Sequence, residues 1–179
     1  MKIYAVRHGE TNWNVLGKMQ GSVDNELNEV GIEQARKTME KLKDEKIDLI
    51  ICSPLKRTIQ TAGIINERKN IPIIYDDRIK ERNGGEFEGK TIQEYNYADY
   101  SSYEKNLTFK KAEKVRDFFN RVYGFMDDIT SKYKDKNVLI VTHAGVIKPI
   151  TFYFSKEKIT DKAIEEIYPK NCEIIKWEI

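Results

Sequence analysis

Cysteine is scarce in this chain of 179 residues: Cys52 and Cys172 are the only two, far apart and outside any Cys-x-x-Cys pair. That excludes a disulfide framework and a cysteine-rich zinc site, and fits buried or edge thiols in a reducing compartment. Long apolar runs are missing as well. Stretches such as Leu49 to Cys52 and Val138 to Val141 fall far short of the about 20 residues that span a bilayer. The start, Met1 to His8, reaches charge too early for the apolar core of a secretory signal and has no small-residue cleavage site. A cytoplasmic protein without a membrane partner is therefore expected. There is no excess of charge of one sign either: 31 Lys and Arg face 29 Asp and Glu, a net of +2. So balanced a chain does not hold nucleic acid through a general phosphate-attracting field, and any basic chemistry must be local.

With 40% hydrophobic residues, enough apolar surface is present to offset chain entropy, which excludes intrinsic disorder. No repeat, low-complexity tract or linker divides the sequence, so one domain over residues 1–179 is expected. Three short apolar runs, 2–6, 48–52 and 137–142, read as fully buried strands of a largely parallel sheet. Between the first two, Val30, Ile32, Ala35, Met39 and Leu42 share one helical face after Asn28, a plausible N-cap, giving a helix over about 29–45. Ser53-Pro54 reads as a cap and first-turn proline for a second helix ending near Arg68, and Ile71 to Tyr75 as a further strand. The apolar positions between Phe109 and Tyr133 predict a long amphipathic helix. A helix near 146–154 and a terminal strand over 172–177 complete the alternation. The expected architecture is a three-layer α/β/α sandwich with a largely parallel central sheet. Around residues 90–110, Tyr95, Tyr97, Tyr100 and Tyr103 mark a segment of indistinct periodicity, readable either as a lid over a site or as a surface excursion packed on the body.

Histidine is as rare as cysteine, and more informative. His8 and His143 each follow an apolar strand directly or within two residues. Ligands of open parallel sheets gather outside the carboxyl ends of the strands, so both imidazoles could enter one crevice. Arg7 flanks the first, and Arg57 lies one helical turn beyond the end of a third strand. Two guanidiniums near two imidazoles make an anion pocket, and the planar fork of arginine suits phosphate. No Walker-type glycine loop and no strand-end pair of acids appears; Asp76-Asp77 and Asp127-Asp128 are neighbours whose side chains diverge. A zinc hydrolase built on His8, His143 and Cys52 is conceivable by ligand type, but the sequence has no compact ligand motif, and no metal or cofactor is expected. Neutral imidazole can itself attack phosphorus through one ring nitrogen while the other fixes the tautomer.

Arg7-His8-Gly9-Glu10-Thr11-Asn12-Trp13-Asn14 resembles the signature of the histidine phosphatase superfamily, in its phosphoglycerate mutase-like branch. The resemblance continues through Gly21 and the segment Leu27 to Ala35, through Ser53-Pro54-Leu55-Lys56-Arg57-Thr58, through Ile79-Lys80-Glu81 with Gly85 to Gly89, and through Val141-Thr142-His143-Ala144-Gly145. It implies that His8 is the nucleophile, that Glu81 is the acid and then the base, and that Arg7, Arg57 and His143 hold the phosphoryl group. It further implies a phosphate hydrogen bond from Asn14, with Gln20, Gly21 and Ala144 near the substrate. Ala144 stands where the family usually has glycine, and no Gly-Glu-Ser motif precedes the long helix, where Phe109-Lys110-Lys111-Ala112-Glu113 stands instead. The implied activity is metal-independent hydrolysis of a small phosphorylated metabolite through phosphohistidine. A phosphoglycerate mutase is the alternative, disfavoured because only 61 residues separate Glu81 from His143. A non-catalytic phosphometabolite-binding protein is the alternative of another class. Neither the identity of the metabolite nor the oligomeric state follows from these motifs.

Overall fold

The computed structural model describes residues 1–179. In chain order the elements are β1 (Lys2–Arg7), α1 (Asn12–Val15), α2 (Glu29–Lys41), β2 (Leu49–Cys52), α3 (Lys56–Asn66), β3 (Ile73–Tyr75), α4 (Tyr97–Ser101), α5 (Val115–Lys132), β4 (Val138–Thr142), α6 (Ala144–Ser155), α7 (Asp161–Glu166) and β5 (Ile174–Glu178). The five strands form one sheet in the order β3-β2-β4-β1-β5. The first four run parallel, and β5 pairs antiparallel with β1 at one edge. No helix is long and apolar enough to cross a membrane.

Why β1, β2 and β4 read as unbroken apolar runs is visible in their two faces. Successive side chains point to opposite sides of a strand. Ile3, Ala5, Leu49, Ile51, Val138 and Ile140 pack with Phe118, Val122 and Phe125 of α5 and with Val146, Ile147 and Ile150 of α6. Their neighbours Tyr4, Val6, Ile50, Cys52, Leu139 and Val141 pack on the other side with Leu42, just past α2, and with Ala62 and Ile65 of α3. Both faces are covered, which gives the three layers expected and leaves no room for polar alternation.

Several boundaries differ from the sequence expectation. Helix α5 begins at Val115 rather than Phe109, because Lys111 has a left-handed backbone and Lys114 is extended. Phe109, where the helix was expected to begin, instead packs its ring edge-on against Phe87 at 5.1 Å. Helix α2 ends at Lys41, three residues after Thr38, whose carbonyl accepts from the Leu42 amide that closes it. Helix α3 starts at Lys56 with Leu55 at the N-cap position, so Ser53 is not its cap. Helix α6 starts at Ala144, two residues early, with extended His143 at its N-cap position. The terminal strand starts at Ile174 because Cys172 has a left-handed backbone.

Candidate active site

Parallel pairing of β1 with β4 places Arg7 opposite Thr142, so the next residues of both strands leave the sheet side by side. The His8 amide continues the ladder to the Thr142 carbonyl at 2.9 Å. The two imidazoles stand 5.3 Å apart between centroids, inclined at 59°. His8 lines a cavity of about 700 Å³ together with Arg7, Arg57 and Glu81; His143, fully buried, lies behind it.

The His8 ring is fixed by its own chain. Nδ1 lies 2.7 Å from the Gly9 carbonyl oxygen, which can only accept, so Nδ1 carries the proton and Nε2 keeps its lone pair. Burial, with Arg57 and then Arg7 adding repulsion, holds its pKa well below the usual 6.5, so the ring is neutral at pH 7. Asn171 donates to the His8 carbonyl at 2.9 Å, and the Gly9 amide donates to Thr61 Oγ1 at 3.0 Å. His143 Nε2 is 2.8 Å from Ser53 Oγ, while its Nδ1 is buried without a partner. Its pKa is also far below 6.5, through burial first and then Arg57 and His8.

Neither arginine meets a carboxylate. Arg57 Nη1 donates to the Val23 carbonyl at 2.6 Å and Nη2 to the Gly21 carbonyl at 2.8 Å; Arg7 Nη1 donates to the Pro169 carbonyl at 2.8 Å. The Nε atom of each is buried and unpartnered. Burial lowers the Arg57 pKa to about 10, which leaves it cationic at neutral pH. A buried cation held only by carbonyls is a standing demand for an anion.

Glu81, in irregular chain after β3, accepts from the Arg82 amide at 2.9 Å and from the Gly145 amide at 3.1 Å, at the positive end of α6. Asn14 closes a capping box, its Oδ1 accepting from the Thr11 amide at 3.0 Å, which leaves its amide nitrogen free on the cavity wall. Gln20 Oε1 accepts from Thr11 Oγ1 at 3.0 Å and Asn25 Nδ2 at 3.3 Å, and its own amide nitrogen is likewise uncommitted. Gly21 and Ala144 also line the cavity. Gly21 turns with φ +50°, and a Cβ there would come within 2.8 Å of the Gly84 amide nitrogen; this turn presents the carbonyl that carries Arg57.

Of the four tyrosines in the 90–110 segment, Tyr95, Tyr97 and Tyr100 wall the cavity. Tyr103 instead packs on Phe119 at 5.0 Å between centroids. No three His, Cys, Asp or Glu side chains come together as metal ligands, and the Cys52 thiol, pushed up to about 12 by burial, donates to the Ser53 carbonyl at 3.1 Å within the apolar layer beneath α3. Sequence reasoning missed Ser53 as the partner of His143, because Ser-Pro before a helix reads as a cap. It also missed Asn171 and Pro169, which lie in a turn without periodicity.

A crevice at the carboxyl ends of parallel strands, lined by one imidazole and two guanidiniums without carboxylate partners and backed by a second, buried imidazole, defines a phosphate-directed site. The chain belongs to the histidine phosphatase superfamily, branch 1, whose family pattern matches residues 3–179. It is 41% identical over 142 residues to the uncharacterized phosphatase PhoE of Bacillus subtilis, covering 79% of this chain and 71% of that protein. Over 149 residues it is 34% identical to phosphoserine phosphatase 1 of Hydrogenobacter thermophilus, covering 80% and 71%. The crystal structure of phosphoserine phosphatase from Entamoeba histolytica in complex with 3-phosphoglyceric acid superposes with a TM-score of 0.86 at 28% identity, covering 98% of this chain and 89% of that one.

Proposed function

We propose that this protein is a metal-independent phosphomonoesterase that cleaves a small phosphorylated metabolite through a phosphohistidine on His8. The observation that carries the reading is the His8 tautomer: Nδ1 donates to the Gly9 carbonyl, and the lone pair of Nε2 is left beside two buried arginines that lack carboxylate partners. Nε2 attacks phosphorus in line with the ester oxygen. The P–O bond breaks, and Glu81, protonated in this step, gives its proton to the departing alkoxide. Such donation contributes roughly 100- to 10,000-fold in rate. Arg7, Arg57, His143 and the Asn14 amide take the equatorial oxygens, whose negative charge the guanidiniums follow through the transition state. Glu81, now a carboxylate, removes a proton from a water that attacks phosphohistidine, returning His8 to its neutral form and releasing phosphate. Gln20, Gly21 and Ala144 border the alcohol half of the ester.

Relatives named phosphoserine phosphatase, and the complex with 3-phosphoglyceric acid, support small phosphorylated acids as the substrates to try first. The test is acid-labile labelling. Wild-type protein quenched with labelled substrate retains phosphate on His8, and His8→Ala retains none while losing turnover. Label on His8→Ala at the wild-type level refutes the nucleophile. Efficient interconversion of 2- and 3-phosphoglycerate with little phosphate released refutes hydrolysis in favour of a mutase.

A further inference from the structure

The cavity extends well beyond the phosphoryl site, and one charge on its wall has no work in the mechanism above. Lys148 of α6 lines the same cavity as His8, Arg57 and Glu81. It follows Ala144 by four residues and Gly145 by three, so it lies about one turn, roughly 5.4 Å, up the same helix face whose first turn docks Glu81. It is half-buried and makes no side-chain hydrogen bond; Glu81 and Glu165 act on it only through space, and burial lowers its pKa.

The Arg82 guanidinium, also on this wall, is held in place through two of its nitrogens, with Nη2 buried and unpartnered. Arg82 donates from Nε to the Glu113 carbonyl at 2.8 Å and from Nη1 to the Tyr100 carbonyl at 2.9 Å, with its guanidinium 4.0 Å over the Tyr100 ring. Of the two lysines on the cavity wall, Lys18 stands 5.8 Å from the Trp13 ring, whereas Lys148, one turn from the Glu81 dock, has neither a hydrogen bond nor an aromatic partner. Of the two carboxylates near it, Glu81 is held by the Arg82 and Gly145 amides, and Glu165 stands at the exposed rim; neither forms an ion pair with Lys148, which leaves its ammonium open to a carboxylate brought in by the substrate.

We propose that Lys148 is the specificity residue for the leaving group: its ammonium pairs with a carboxylate on the alcohol half of the ester, selecting phosphomonoesters of small hydroxy acids. The inference rests on the phosphatase reading and adds to it the residue that chooses among esters. One helical turn matches a carboxyl carbon a few bonds past the ester oxygen, each bond being about 1.5 Å. The residues holding the phosphoryl group cannot supply this choice, since every phosphomonoester presents them with the same group.

Two esters that differ in little but this charge are 3-phosphoglycerate and glycerol 3-phosphate. Wild-type protein is expected to prefer the first in kcat/KM by at least about tenfold, and Lys148→Met to bring the ratio down about ten- to a hundredfold. Lys148→Arg should restore most of it, which a purely structural lysine would not require. A ratio preserved in Lys148→Met, or a wild-type preference for the ester without a carboxylate, overturns the proposal. Binding of 3-phosphoglycerate to His8→Ala, followed by calorimetry with and without Lys148→Met, reads the same contact without turnover. If wild-type protein releases no phosphate from any ester, p-nitrophenyl phosphate included, the phosphatase reading fails. The calorimetric comparison then decides Lys148 by itself, a weakening of tenfold or more supporting it and equal affinities refuting it.

Discussion

Replacing Gly145 by alanine isolates the position of Glu81 from its identity. A Cβ on Gly145 would overlap Glu81 Oε1 and stand 2.9 Å from its Cδ, against 3.4 Å for ordinary contact. Gly145 lies in the first turn of α6, where alanine is a better helix former than glycine by up to about 1 kcal/mol, so the backbone does not object. What yields is the carboxylate, the free end of a flexible side chain. Moving it by about 1 Å breaks its bond from the Gly145 amide, at 3.1 Å, and from the Arg82 amide, at 2.9 Å, and takes it out of line with the leaving oxygen. A misplacement of that size is expected to lower the rate of phosphoenzyme formation about 100-fold for an alkyl phosphate, and much less for p-nitrophenyl phosphate, whose leaving oxygen needs little protonation. Thermal melting should remain within a few degrees of wild type. Rapid-quench measurement of the first step on both substrates is the assay, run also on Glu81→Gln and on the double variant. The double variant should be no slower than Glu81→Gln, because a displaced acid and an absent acid are the same loss. A folded Gly145→Ala within about threefold of wild type on the alkyl phosphate refutes the reasoning. A methyl that slows Glu81→Gln further also refutes it, by showing that it acts on something other than the acid.

Ser53→Ala removes the partner of a fully buried imidazole whose other nitrogen already has none, so stability should fall by about 1–3 kcal/mol in urea titration, with kcat/KM down about tenfold as the His143 ring loses its orientation. With His8 and His143 both held well below 6.5 in the folded state, the unfolded chain takes up protons that the native chain refuses as pH drops below about 6.5. Stability is therefore complete above that pH and is lost below it, by up to about 1.4 kcal/mol per pH unit for each histidine; urea midpoints from pH 7.5 to 5.5 should show the slope, and a His8→Asn/His143→Asn variant should flatten it.

The buried strands were legible because both faces are covered, so β1, β2 and β4 carry apolar residues without interruption. The same logic fails for the short helices α1, α4 and α7, of four, five and six residues, which present too little periodicity to detect. The start of α5 was expected near Phe109, six residues early, because the left-handed backbone of Lys111 and the packing of Phe109 on Phe87 leave no mark in the apolar spacing. In the site, His8, Arg7, His143 and Arg57 stood out because each follows a strand end or lies one turn beyond it. Glu81 had no such marker and was picked out only by the family resemblance, since it lies in irregular chain among other glutamates. Lys148 was invisible for the opposite reason: one lysine on a helix ordinarily points at water, and only the cavity shows that this one does not.

The turn that precedes β5 touches the floor of the crevice at three places: the Pro169 carbonyl takes Arg7, Asn171 takes the His8 carbonyl, and the Cys172 amide takes the Arg7 carbonyl. Arg7 and His8 are thus steadied by residues that come more than 160 positions later in the chain. A nascent chain can begin to pair β1, β2 and β4 while His8 still lacks its clasp, because sheet and clasp draw on different stretches of sequence. The setting of His8 therefore depends on a segment that the pairing of β1, β2 and β4 does not use.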